Sequence, residues 1–244
     1  MYIDRKWIFL IIGISLLFGL SGMIRSGEII SLLLTLPGLL IAITFHEFAH
    51  AFAADKLGDD TPRRQNRLNL NPLSHLDPIG SILLLFAGFG WGKPVEINPR
   101  NFDKKVSMQN GEAIVAAAGP AMNMILAVIF TIIYICVLKF ATLWVATSTI
   151  GNIIAIILKT TVYTNIGLGV FNLLPFPPLD GSKIFINFMP YNVRRWFIEK
   201  QQIFYIIFVF IWFTGISSYI ISPVIATITN GLFGIISNIF SFFI

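Results

Sequence analysis

The sequence predicts an all-α polytopic membrane protein, one domain over residues 1–244, with about six transmembrane helices, a re-entrant segment and a short edge strand or hairpin. Three observations predict this class. Hydrophobic residues make up 56% of the chain and charged residues only 12%, against about a quarter charged in an ordinary soluble domain. Mean hydropathy is +0.80. Several apolar runs reach the roughly 20 residues that a helix needs to cross a hydrocarbon core about 30 Å thick. The net charge of +5 contains no dense basic run interleaved with aromatics, so no nucleic-acid surface is expected. The single cysteine, Cys136, lies inside an apolar run. It excludes an intrachain disulfide and a multi-cysteine zinc knuckle.

Residues 7–24 form the first expected span. Arg5 and Lys6 precede it as in a signal peptide, but Ser21-Gly22-Met23 offers no convincing small-x-small cleavage pattern. It reads as a retained helix. Residues 25–28 turn the chain, and 29–56 form the second span. Residues 56–78 are polar, basic and punctuated by Pro62, Pro72 and Pro78. The apolar run 79–91 is only 13 residues long and carries Gly88, Gly90 and, just beyond, Gly92. It is too short to cross and suits a re-entrant or interfacial position. Residues 93–98, KPVEIN, alternate and are framed by Pro94 and Pro99, which predicts a short edge strand.

A third span covers 113–138, and a fourth covers 153–174, broken by Pro175, Pro177 and Pro178. Residues 183–200 are again polar and basic. A fifth span, 203–221, and a sixth, 224–244, are separated by Ser222-Pro223. With both termini cytoplasmic, fourteen of the 17 Lys and Arg residues fall on the cytoplasmic side, as the positive-inside rule requires. This arrangement needs an even number of spans and a re-entrant 79–91. The second and fourth helices then both run inward and end at the same depth.

Chemistry enters at Thr44 to Phe52, TFHEFAHAF. On a helix, His46 and His50 share one face a turn apart and can close on a single cation. Neutral imidazole suits Zn²⁺, and a catalytic zinc takes three protein ligands and keeps a position for water. Glu47, beside the first histidine, can take a proton from that water and pass it to a leaving amine. The plainer alternative is a pair of interfacial histidines with Glu47 reaching for the headgroups. Three ionisable groups on a helix built for lipid favour the functional reading. A third ligand is then needed at the same depth. Asp180 follows the proline break and precedes Gly181, which permits a sharp turn. It could instead cap the following segment. His75, with Asp77 close by in NPLSHLDP, is the rival ligand.

HEFAH at 46–50, GPAMN at 119–123 and NLLPFPPLDG at 172–181 together resemble the site-2 protease family of intramembrane zinc metalloproteases. NPLSHLDPIGSILL and GKPVEINPRNF are similar to its short bacterial branch, which lacks PDZ and CBS domains. The resemblance covers roughly residues 34–183. It implies one Zn²⁺ held by His46, His50 and Asp180, with Glu47 as general base. It places Gly119, Pro120 and Asn123 in a helix-packing motif, and gives Asn172 a part in positioning substrate. Asn123 joins Asn172 as a candidate for that role, as do Val95, Glu96 and Ile97 of the edge strand, which could hold an unwound substrate as an added strand. His75 matches a family feature of unassigned role.

The implied activity is hydrolysis of a peptide bond in or near the transmembrane segment of a membrane-protein substrate, in regulated proteolysis or signal-peptide clearance. The implied setting is the lipid bilayer of a bacterial cell membrane. Two other classes compete with this reading. A catalytically silent zinc scaffold would not need Glu47, and a transporter with a broken helix would show an inverted repeat, which the sequence lacks.

Overall fold

The computed structural model describes residues 28–78, 80–81 and 92–242. The expected first span, and nearly all of the expected re-entrant segment 79–91, lie outside these residues. The described residues are helical, with no strand and one isolated bridge, between Leu76 and Gly92. The 93–98 segment, expected as an edge strand, has no ladder. Its exposure still alternates, Val95 and Ile97 being half-buried and Glu96 exposed.

Helix α1 spans Glu28–Lys56. It ends at Gly58, whose φ of +100° closes the last turn at no steric cost. Helix α2, Met108–Phe140, starts where the Ser107 hydroxyl caps Asn110 N–H at 3.2 Å. Helix α3, Thr149–Asn172, starts on Ser148 in the same way. Its end is set by the prolines that follow, which cannot continue a helix. The chain folds back tightly there. A Cβ on Gly181 would lie 2.3 Å from the Leu173 carbonyl oxygen, so only glycine fits. Helix α4, Asp180–Asn187, begins at that fold, and α5, Tyr191–Glu199, follows it.

The last two helices depart from expectation. Helix α6 covers Gln201–Phe213 and α7 covers Ile216–Phe242, running straight through Pro223. The break falls at Gly215, φ +72°. Glycine adopts the left-handed conformation that terminates a helix. Proline removes one hydrogen bond, and membrane helices tolerate that. At 13 residues, α6 rises only about 20 Å. Its Phe208 packs on Phe171, at the C-terminal end of α3. Ile221, early in α7, joins the cluster of Val162, Ile166 and Val170 on α3. Helix α6 therefore begins and ends at one end of the bundle.

Helix α7 then runs the bundle's full length. Its Phe240 carbonyl accepts from Lys139 Nζ, at the far end of α2, at 2.6 Å. The C-terminal end thus lies opposite the 57–107 loop. In place of the expected span 203–221, the described residues thus hold the short helix α6 and the first turns of α7. Four helices among the described residues are long and apolar enough to span: Ile29–Lys56, Met108–Phe140, Thr149–Asn172 and Ser218–Ser241.

Helices α1, α2 and α3 pack on one another, and α7 lies against α2 and α3. Lipid supplies no hydrophobic drive for this, so small residues at the crossings let the backbones approach. A Cβ on Gly38 would sit 2.6 Å from Thr161 Oγ1 and 2.7 Å from its Cα. Gly231 on α7 has nothing within 4 Å. Gly38→Ala should therefore lower the unfolding midpoint in detergent, costing about 1–3 kcal/mol. Gly231→Ala should leave it unchanged or raise it, by up to about 1 kcal/mol. Equal shifts in tryptophan-monitored melts would contradict the close α1–α3 crossing.

Candidate metal centre

One turn of α1 separates His46 and His50, whose ring centroids are 4.7 Å apart at 86°. Both rings are buried. The fold-back after α3 brings Asp180, 134 positions from His46 in sequence, onto the same point. Its Oδ2 lies 3.1 Å from His46 Nε2 and 3.1 Å from His50 Nε2. The three ligand atoms lie within 4.8 Å of one another, as donors around a single metal ion would.

The hydrogen bonds behind the rings decide what these atoms can do. Asn123 is fully buried and gives both amide hydrogens away, to the Ala42 carbonyl at 3.1 Å and to Asn165 Oδ1 at 3.0 Å. Its Oδ1 must therefore accept, and His46 donates to it from Nδ1 at 2.6 Å. His50 donates from Nδ1 to the Val115 carbonyl at 2.7 Å. A neutral imidazole that donates at Nδ1 carries its lone pair at Nε2. With both rings neutral, two imidazole lone pairs and a carboxylate oxygen would meet at one point, where a cation would offset their repulsion. Two nitrogens and one oxygen fit a three-ligand catalytic zinc set. The bonds at Nδ1 are the usual outer-shell support for such ligands.

Gly119 makes the arrangement possible. A Cβ there would lie 2.5 Å from His50 Nε2 and 2.7 Å from His46 Cε1. The glycine of the 119–123 motif clears room for the ligand rings themselves. Asn123, a turn later on the same face, was expected to position substrate. It lies behind His46, where its Oδ1 accepts from that ring. Asn165, which completes the network, was not anticipated. A polar residue in the apolar run of α3 is the sequence signal for it.

His75 is held apart from the cluster. Its Nε2 pairs with the Asn69 carbonyl at 2.7 Å, and its own carbonyl accepts from Lys93 N–H at 2.8 Å. Burial pushes its pKa down, so it is neutral in its loop. Asp180, not His75, reaches the histidine pair.

Glu47 lines a cavity of about 1050 Å³ together with His46, His50 and Asp180. Its Oε2 accepts from Val95 N–H at 3.2 Å. Val95, Ile97 and Asn172 also line this cavity. Asn172 anchors its amide on the Leu168 carbonyl at 3.0 Å. Glu96 turns away from the cavity and accepts from Gln65 Nε2 at 2.7 Å.

The model of peptidase family M50 matches residues 34–215. YwhC of Bacillus subtilis (strain 168), named for zinc metalloprotease activity, is 37% identical over 202 residues, which cover 83% of this chain and 90% of that protein. Rip2 of Mycolicibacterium smegmatis, named likewise, is 27% identical over 219 residues, covering 78% of this chain and 77% of that protein. No solved structure gives a significant match. The matched region holds His46, Glu47, His50, Asn123 and Asp180. The chain belongs to peptidase family M50, the site-2 protease family, and is a membrane metalloendopeptidase.

Proposed function

We propose that this enzyme hydrolyses a peptide bond in or near the transmembrane segment of another membrane protein, with one zinc ion on His46, His50 and Asp180 and Glu47 as general base. The observation that carries this reading is the convergence of two imidazole nitrogens and one carboxylate oxygen on a single point. Zinc bound there would supply a Lewis acid and a more acidic water. Glu47 takes the proton from the attacking water and later delivers it to the leaving amine. A helical substrate hides its carbonyls in its own hydrogen bonds, so it must unwind before it reacts. The 93–98 segment, with Val95 and Ile97 toward the cavity, is placed to bind the unwound stretch by strand addition. Asn172 lies at the α3 end of the cavity and fits a role in holding substrate.

The setting follows from charge. The loops 57–107 and 181–200 hold most of the basic residues, which assigns them and the metal centre to the cytoplasmic side of a bacterial cell membrane. With α6 not crossing, the C-terminal end of α7 falls on the outer side.

Glu47→Gln should abolish cleavage while zinc content stays at the wild-type level, a loss on the order of 10²–10⁴-fold from the base alone. Metal analysis beside a cleavage assay measures both, and near-wild-type turnover would remove the assigned role. Zinc retained after mild chelation should rank wild type, then His75→Ala close behind, then Asp180→Ala far lower. The reverse order would make His75 the third ligand. With Cys136 replaced by Ala, single cysteines at Arg64, Lys104 and Arg195 should label from the cytoplasm. Cysteines at Trp144 and Ser241 should label from outside. Cytoplasmic labelling at Ser241 would return α6 to the set of crossing helices.

A further inference from the structure

The 57–107 loop buries two charged side chains that the metal centre does not use. Asp59 is fully buried and accepts four hydrogen bonds. Its Oδ1 takes Thr61 N–H at 3.1 Å, the Thr61 hydroxyl at 2.6 Å and Asn101 Nδ2 at 2.9 Å. Its Oδ2 takes Asn98 N–H at 2.6 Å. Arg67 is 5% exposed, and its guanidinium donates to the carbonyls of Ser74 and Lys93. Among the described residues it has no ion-pair partner. A guanidinium buried without a carboxylate is a costly arrangement, and this one is spent on holding backbone.

The two side chains grip opposite ends of one segment. Arg67 holds it at the Lys93 carbonyl and Asp59 holds it at Asn98 N–H. Between the grips, Val95 N–H meets Glu47 Oε2, and at its start Lys93 N–H meets the His75 carbonyl. The general base and the segment proposed to bind substrate are therefore registered on each other through contacts made outside the metal ligands.

We propose that Asp59 and Arg67 are positioning residues. They fix the register of the 93–98 segment against Glu47, and so select which bond of an unwound substrate stands at the metal centre. The proposal rests on the proteolysis reading above. Strand register changes in discrete steps. A slip of one residue turns every side chain to the other face, and a slip of two moves the paired peptide by about 6.6 Å. Either step takes the scissile carbonyl away from Glu47 and the ligand set.

Asp59→Asn separates this role from a general structural one. The retained Oδ1 keeps its three donors, while the new amide nitrogen faces Asn98 N–H, donor against donor. Arg67→Lys keeps the charge but loses the fork that spans two carbonyls. The test uses the zinc-loaded full chain in nanodiscs and a synthetic single-span peptide with a Gly-Ser pair in its apolar run. For Asp59→Asn we expect wild-type zinc content and a melting point within a few degrees of wild type. Amide exchange over 95–98 should be about tenfold faster and KM about tenfold higher, with kcat less affected. Mass spectrometry should find the dominant cleavage joined by cleavage at neighbouring bonds. Arg67→Lys should broaden the cleavage in the same way.

Unchanged exchange, or faster exchange with an unchanged KM and one unchanged cleaved bond, overturns the proposal. So does loss of zinc and of the folded state in both variants, which would make the two residues structural. Wild-type protein that holds zinc and leaves the peptide intact removes the proteolysis reading itself. The positioning role would then fall with it, even where Asp59→Asn loosens the segment.

Discussion

The buried side chain of Asn123 is the contact on which the rest of the bundle depends. It joins three helices at one point: α1 through the Ala42 carbonyl and His46, α2 through its own backbone, and α3 through Asn165. Water cannot substitute for these partners at membrane depth, where each unsatisfied polar group costs several kcal/mol. The three helices are therefore held in one register. Asn165 is itself secured, donating to the Thr161 carbonyl at 2.9 Å, and Thr161 is the residue that Gly38 packs against. A chain of contacts thus runs from the α1–α3 crossing to the imidazole of a metal ligand. The tautomer of His46, a property of the metal chemistry, is decided by how the helices pack.

Close approach and polar pairing act together here. Gly119 and Asn123 lie a turn apart on α2, and both face α1. The glycine sets how near the helices come, and the asparagine sets their register. With a larger residue at 119 the rings of His46 and His50 would be displaced, and with an apolar residue at 123 the His46 Nδ1–H would lose its acceptor. Asp180 depends on a third device, the proline-terminated end of α3 and the fold-back at Gly181. The cluster of His46, His50 and Asp180 is thus built from segments far apart in sequence.

How much of this could be read from the residues follows from how local each signal is. The pair His46 and His50, with Glu47 between, was legible because helical periodicity alone puts the histidines on one face. Asp180 was legible because prolines and a glycine mark where a membrane helix must stop and turn. Asn123 was recognised as part of a motif, but which ring it faces depends on the rotation of α2 against α1, and no local pattern encodes that. The break between the last helices was misplaced because Pro223 looks like a stronger terminator than Gly215. In lipid-exposed helices the reverse holds, since a missing donor is tolerated and a left-handed residue is what ends a helix. Residues 93–98 show the alternation of a strand without a ladder, because alternation reports the backbone's shape and not its partner.

Two of the three proposed metal ligands, His46 and His50, and the proposed base Glu47 lie within about one turn of α1, yet different parts of the molecule hold them. His46 and His50 are oriented from within the membrane, by Asn123 on α2 and by the Val115 carbonyl. Glu47 is oriented by the loop, through Val95 N–H. The two rings thus take their Nδ1 hydrogen bonds away from the 93–98 segment, while the Glu47 carboxylate is tied to it. An unwound substrate that paired with this segment, as proposed, would meet the same stretch of backbone that holds Glu47. On the proposed reading, binding of a strand and placement of the base would become one event, which a helix that has not unwound would not trigger. Dividing the support of one helical turn between membrane and loop would then let the enzyme tell an unwound segment from the intact helices around it.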